Sequence, residues 1–405
     1  MTIPFSPPFV DQHVIDEVLD TLRSGWITSG PKVKALEEEV VKLTNSKAAV
    51  CVNSWTSGAI LMLKWFGVKE GDEVIMPAYT YSATALSVLH CGATPVMVDI
   101  LDDFTIDPLK IKQAITSKTK VIMPVDIAGW PSDYNAINEI VDGADIKKMF
   151  TPASDKQQQL GRILVISDAA HSIGATYNSS SAANKCDITI FSFHAVKNVT
   201  TAEGGCICIN LPETFDHDYE YRFLKMYSLN GQSKDALAKS KVGSGSWKYD
   251  ILFQGLKINL PDLCAAVGLA QLKQYTDKLH PIRRQIAQKY CVGFGGHDWF
   301  IAPPMHCAGR ESSYHLFALR INGISESIRD KIIDDIMAKG VAVNVHFIPM
   351  PMLTLFKDLG YKIDDYPNSY KQYACEISLP IYPQLTDEQL VYIIDTVVNA
   401  VKDNS

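Results

Sequence analysis

No stretch of this 405-residue chain approaches the ~20 consecutive apolar residues that a bilayer-crossing helix needs. The start, Met1 to Pro8, has neither the basic opening nor the apolar centre of a signal peptide, so a cytoplasmic protein without a membrane partner is expected. Runs of lysine and arginine are missing too: 38 basic residues face 45 acidic ones, a net charge of -7, which argues against a general nucleic-acid binder. There is no Cys-x-x-Cys, and the nine cysteines, an odd number, lie mostly inside apolar runs, as Cys51, Cys206, Cys208 and Cys264 do. A thiol so placed behaves as a small hydrophobe, so neither a disulfide framework nor a metal site is expected. Internal repeats and low-complexity segments are absent as well.

What remains is ordinary globular usage, 47% hydrophobic and 20% charged, over a length that suggests two domains. Asp11 to Leu22 spaces Val14, Ile15, Val18, Leu19 and Leu22 as an amphipathic helix. The turn-rich Gly25 to Pro31 follows, a loop that either binds something or merely connects, and Pro31 opens a second helix. From there apolar strands alternate with helices: Val50–Val52, Glu73–Met76, Pro95–Ile100, Val121–Val125 and Ile163–Asp168. That alternation predicts an α/β fold with a mostly parallel central sheet covered on both faces. Lys147 to Arg162 reads as a polar, aperiodic surface insertion, and Gln232 to Trp247 as a long mobile loop rich in Ser, Gly and Lys. The texture changes in the last third, where Tyr314–Ile321 and Val341–Phe347 read as short strands between long helices. The final helix starts at a Thr386/Gln389 capping box. We therefore expect a large α/β domain over residues 1–275 and a smaller α+β domain over residues 276–405.

Chemistry concentrates where open α/β sheets place their ligands, at the carboxyl ends of strands. Ile188 to Phe193 is a β-branched and aromatic run that delivers Ser192, His194 and Lys197 to a polar turn, followed by Glu203-Gly204-Gly205. A lone lysine of this kind is ordinarily a snorkelling surface side chain. Beyond a buried strand, however, desolvation lowers its pKa, and it can attack a carbonyl to form a Schiff base. Asp168 ends another apolar strand; it either caps the next helix or pairs with a cation such as a protonated pyridine nitrogen. Thr56 and Ser57 open a helix after a strand, either as an ordinary cap or as a cradle for phosphate. Together these are the parts that pyridoxal phosphate requires.

Ser192 to Gly205, with its Ser-Phe-His-Ala-Val-Lys start, closely resembles the lysine motif of the DegT/DnrJ/EryC1/StrS family of pyridoxal-phosphate-dependent nucleotide-sugar aminotransferases. The likeness extends in order through Ser24–Pro31, Gly71–Tyr81, Gly92–Asp99, Asp168–Ala175 and Asp262–Leu272. It implies the fold-type I aminotransferase architecture and a homodimer with active sites at the subunit interface. By this resemblance Lys197 carries pyridoxal 5'-phosphate, Asp168 holds its ring nitrogen, Tyr81 stacks on the ring and His171 lies near the ring hydroxyl. Thr56, Ser57 and Ser192 would bind the phosphate, joined by Lys257 or Asn259 from the partner subunit. Many members carry Asn where this chain has Lys257. Trp55 stands where a small residue is commoner, and its indole either reshapes the pocket or points into the core.

The implied reaction is a ping-pong transamination from L-glutamate to a nucleotide-linked keto-sugar. The Gly255–Asn259 stretch and the Ala202–Gly205 turn resemble those of enzymes acting at C4 of 4-keto-6-deoxy or 4-keto-pentose sugars. Amination at C3 is the alternative, and a non-catalytic homologue is a second. Relatives with His at the lysine position dehydrate instead, and Lys197 argues against that branch. Trp26, Thr28 and His346 are the expected substrate contacts, His346 being either that or structural.

Overall fold

The computed structural model of the protein describes residues 1–234 and 247–404. The expected loop from Gln232 to Trp247 thus falls almost wholly outside the described residues. Two helices, α1 (Gln12–Ser24) and α2 (Pro31–Thr44), precede the first strand. The strands that follow are β1 (Ala48–Val52), β2 (Glu73–Pro77), β3 (Thr94–Val98), β4 (Thr119–Ile122), β5 (Leu164–Asp168), the short β6 (Thr176–Tyr177) and β7 (Ser180–Ser181), β8 (Ile188–Ser192) and β9 (Gly205–Ile209). Between them lie α3 (Trp55–Trp65) and α4 (Ala83–Leu89).

Seven of these strands form one sheet in the order β1-β9-β8-β5-β4-β2-β3, and every neighbouring pair is parallel except the two that β9 makes. β5, β8 and β9 are buried at every position, as strands covered by helices on both faces must be. The parallel direction brings the ends of β1, β2, β5 and β8 to one edge, where Thr56, Tyr81, Asp168 and Lys197 follow them. Strands β4 and β3 begin one or two residues earlier than their apolar runs suggest.

Later strands are β10 (Phe300–Ile301), β11 (His306–Cys307), β12 (Arg310–Glu311), β13 (Phe317–Ile321) and β14 (Glu376–Leu379). β10, β13 and β14 form a three-stranded antiparallel sheet. Over it pack the helices Glu326–Ala338 and Asp387–Asn404 around a separate apolar core that includes Phe317, Ile332, Ile377 and Val397. The amino terminus crosses to this core through the Ile3–Val341 bridge. At the last helix Thr386 and Gln389 exchange the two capping bonds, at 3.0 and 3.2 Å.

Two expectations change. Val341–Phe347 is not a strand; only Val341 and Asn344 make isolated bridges, and the Asn344 side chain accepts the Val345 N–H at 2.8 Å, taking that donor from any ladder. The stretch from Lys147 to Arg162 is not aperiodic. It holds the end of the helix Ala144–Met149 and the whole of Asp155–Leu160, which starts on Ser154 and stops at Gly161 in the left-handed region. Gln157 there is buried against the Phe66 carbonyl at 3.0 Å, so the segment packs on the sheet domain rather than merely decorating it. In α1, Val14 is buried but Ile15, Leu19 and Leu22 are exposed. No helix among the described residues is long and apolar enough to cross a membrane.

Candidate active site

Asp168, the last residue of β5, carries a buried carboxylate. Its Oδ2 accepts the Thr84 hydroxyl at 2.8 Å and its Oδ1 accepts the Ala170 N–H at 3.2 Å. Burial raises its pKa to about 7; the two hydrogen bonds and Lys197 pull the other way.

Lys197 lies five residues beyond β8, in a turn closed by its own N–H on the His194 carbonyl at 2.9 Å. Its Nζ makes no hydrogen bond or ion pair among the described residues, and the half-buried residue lines a cavity of about 560 Å³ that Asp168 also lines. Burial lowers its pKa to about 8, against the attraction of Asp168. A neutral amine, the form that attacks a carbonyl, is therefore within reach near neutral pH.

The start of α3 forms one side of the cavity. Ser54 caps the helix: its oxygen accepts the Ser57 N–H at 3.1 Å, and its hydroxyl bonds Ser57 Oγ at 2.9 Å. Ser54 and Thr56 line the cavity, whereas Ser57 does not, because its hydroxyl is taken up by Ser54. β9 begins directly beside this helix end; a Cβ on Gly205 would lie 2.8 Å from the Trp55 nitrogen, so only glycine allows the approach. Free N–H groups and hydroxyls at a helix start favour an anion. Ser192 lines the same space. Trp55 is among the residues lining the cavity, but it is buried in the main core, and its Nε1 has no partner among the described residues.

The opposite wall holds three histidines. His171 is buried, and its Nδ1 accepts the Ala128 N–H at 3.3 Å, which leaves the proton of the neutral ring on Nε2. Burial and Lys197 hold its pKa well below the usual range. His315, which sequence reasoning passed over, stands 4.4 Å from it ring to ring and is fixed by Asn198 Oδ1 at 2.9 Å. Its only signal was a histidine inside an otherwise apolar strand start. His346 and Phe347 complete the wall, with the exposed ring of Tyr81 5.6 Å from Phe347. Thr84, the partner of Asp168, was also missed.

Four expected residues lie elsewhere. Lys257 is exposed and donates to Asn259, whose amide donates to Ser29 Oγ at 2.7 Å. Trp26 donates its ring N–H to the Ser29 carbonyl at 3.2 Å, and Thr28 is exposed. None of the four lines this chain's cavity.

A buried carboxylate tolerates ionisation when it faces a cation, and a buried amine without a partner is free to bond a carbonyl; pyridoxal 5'-phosphate offers both groups, and its phosphate suits the start of α3. On a fold-type I scaffold that pairing is suited to a pyridoxal-phosphate-dependent enzyme. The DegT/DnrJ/EryC1/StrS aminotransferase family model matches residues 8–398, and the chain belongs to that family. Among its relatives, the spore coat polysaccharide biosynthesis protein SpsC of Bacillus subtilis is 35% identical over 99% of this chain and 96% of its own. Spr1654 of Streptococcus pneumoniae, named as a sugar aminotransferase and solved in its PMP form, superposes with a TM-score of 0.95 at 42% identity over 100% of both chains. Its PLP form gives 0.94 at 41%. Helicobacter pylori PseC, an aminotransferase of pseudaminic acid biosynthesis, gives 0.85 at 25% identity, again over 100% of both chains.

Proposed function

We propose that this enzyme transfers an amino group from L-glutamate to C4 of a nucleotide-linked 4-keto-6-deoxy or 4-keto-pentose sugar, supplying an amino sugar for a surface polysaccharide in the cytoplasm. That it is a sugar aminotransferase follows from its family and its relatives. The observation that carries the reading is the unpartnered Nζ of Lys197 in the cavity that Asp168 lines. The spore coat role of SpsC supports the polysaccharide assignment.

Bound pyridoxal phosphate supplies an electron sink, which accepts the pair left when the donor's α-carbon loses its proton. The protein's own groups do the rest. Lys197 would hold the cofactor through its amine, and its Nζ would move the proton from the donor's α-carbon, acting as base and then acid. Thr84 and Ala170 orient the Asp168 carboxylate, which would supply the counter-charge for a protonated ring nitrogen. Ser54, Thr56 and Ser192 would hold the phosphate, Tyr81 would cover the ring, and His171 would offer its Nε2–H to the ring hydroxyl. Glutamate leaves as 2-oxoglutarate, and in the second half the sugar ketone becomes CH–NH2.

Lys257 and Asn259 reach the phosphate of a partner subunit's cofactor in this reading, and Trp26 and Thr28 serve the partner's substrate. Support comes from their position outside the cavity of their own chain, with Lys257 and Thr28 exposed, and from the uncovered apolar side chains Val10, Ile15, Leu19, Leu22 and Ile27. We take residues 1–275 and 276–405 as two domains, the second lending His315, His346 and Phe347 to the cavity.

The test is a panel of UDP-, dTDP- and GDP-linked 4-keto and 3-keto sugars incubated with glutamate and holoenzyme. Mass detection should find the aminated 4-keto product; amination confined to the 3-keto sugars overturns the C4 assignment.

A further inference from the structure

His346 enters the cavity from the segment that runs beside β14, and its ring is held from behind by that strand. Glu376 and Ser378, two residues apart on β14, point to the same side. The His346 backbone N–H donates to Glu376 Oε2 at 3.0 Å, the Ser378 hydroxyl lies 2.5 Å from Glu376 Oε1, and His346 Nδ1 lies 2.9 Å from Ser378 Oγ. His346 Nε2 has no hydrogen-bond partner among the described residues, and the residue lines the cavity beside Phe347. A serine between an acid and an imidazole has one proton to give, so the direction of the whole chain is set at its far end.

With Glu376 ionised, Ser378 donates to it and must accept from His346 Nδ1–H, which leaves Nε2 as a bare acceptor. With Glu376 protonated on Oε1, the acid donates to Ser378, Ser378 donates to Nδ1, and the ring proton sits on Nε2 as a donor. We propose that Glu376 and Ser378 are positioning residues that set which nitrogen of His346 carries its proton, and so whether Nε2 meets a hydroxyl of the keto-sugar as acceptor or as donor. The proposal rests on the sugar-aminotransferase reading above for the identity of that hydroxyl's owner. It reaches further in naming the group that reads the sugar and the two buried residues that set its polarity.

Glu376 is fully buried, and burial raises its pKa to about 8, so the switch falls near neutral pH. The charged and titratable groups around it are Arg329, whose Nη1 donates to the Glu376 carbonyl at 3.2 Å, Arg320, paired with it across β13, Tyr79, whose hydroxyl donates to the His346 carbonyl at 2.7 Å, and Cys375. Toward the cavity His346 faces Lys197 and His171. Both arginines favour ionised Glu376, and neither bonds its carboxylate oxygens, which leaves Ser378 and the His346 N–H as the direct partners. Burial and Lys197 lower His346 to about 3, so the ring stays neutral and changes tautomer rather than charge.

The test uses holoenzyme carrying 15N-labelled histidine, with His346→Gln to assign the signal. The wild-type ring should move its proton from Nε2 to Nδ1 as pH rises through the titration of Glu376. Glu376→Gln, whose amide donates to Ser378 in place of a protonated acid, should hold the Nε2–H form at every pH, and Ser378→Ala should uncouple the ring from pH altogether. In half-reactions followed by cofactor absorbance, both variants should leave the glutamate half unchanged; the wild-type KM for the sugar should change about tenfold across the titration of Glu376, the scale of one hydrogen bond, whereas Glu376→Gln should keep the low-pH wild-type KM at every pH and Ser378→Ala should lose the pH dependence. Ser378→Thr should restore it. If Glu376→Gln does not fold, Ser378→Ala carries the test alone. A tautomer that shifts with pH in both variants as it does in the wild type, or an equal change in the two half-reactions, overturns the relay. Should the wild type aminate no sugar, the substrate reading falls, while the tautomer measurement still decides the relay.

Discussion

Thr84 donates its hydroxyl to Asp168 Oδ2 at 2.8 Å, tying the first turn of α4 to the end of β5. Thr80 lies 3.0 Å from the same hydroxyl. The bond favours the charged carboxylate, so removing it raises the pKa of Asp168. Thr84→Val keeps the shape and should shift the acid limb of the pH–rate profile of holoenzyme to higher pH, with roughly a tenfold loss at neutral pH. A limb that stays in place contradicts the role given to Thr84.

In the cofactor-free protein Asp168 carries a cost. Its folded pKa, about 7, lies above the 3.8 of an ordinary aspartate, so its contribution to stability is full below about 4 and is lost as pH rises through 7. Asp168→Asn should therefore stabilise cofactor-free protein at pH 8, by at most on the order of 4 kcal/mol, and show no gain at pH 4. With cofactor bound the order should reverse, because the ring nitrogen loses its counter-charge. Calorimetry on both forms checks this.

Asp262 caps α2 from a distance in sequence: Oδ1 accepts the N–H groups of Gly30 and Val33 at 2.7 and 3.0 Å, and Oδ2 accepts that of Lys32 at 3.0 Å. Three donors and the helix dipole depend on one buried carboxylate. Asp262→Ala should cost about 2–3 kcal/mol in denaturant unfolding. A loss below about 0.5 kcal/mol would show that water replaces the cap.

Shared sites make a separate prediction. A Lys197→Ala chain and a Lys257→Ala, Asn259→Ala chain should each be inactive alone, yet regain activity when refolded or co-expressed together, since the mixed dimer contains one intact site. Mixtures that stay inactive contradict the placement of Lys257 and Asn259 in the partner's site.

Some of this was legible because burial writes itself into sequence. β5 and β8 are covered on both faces, so their apolar runs stand out, and Asp168 at the end of the one and Lys197 in the turn after the other are easy to pick out. Thr84, His315, Glu376 and Ser378 carry no such mark: Thr84 finds its partner 84 positions away, and only the folded sheet brings them together. Val341–Phe347 looked like a strand because β-branched residues alternate there, but Asn344 diverts the backbone, and His346 is spent on the cavity. Conversely, Ser154, Gln157 and Gly161 spelled a short helix inside a stretch whose polarity hid it.

The central claim is that Lys197 carries the cofactor. Borohydride added to holoenzyme should reduce the carbon–nitrogen double bond between them to a stable amine, bleaching the yellow colour, and peptide mass spectrometry should then find the pyridoxyl group on Lys197. Lys197→Ala protein should bind cofactor without fixing it and should aminate no acceptor. A pyridoxyl group on a different lysine, or donor-dependent amination that survives Lys197→Ala, would contradict the account.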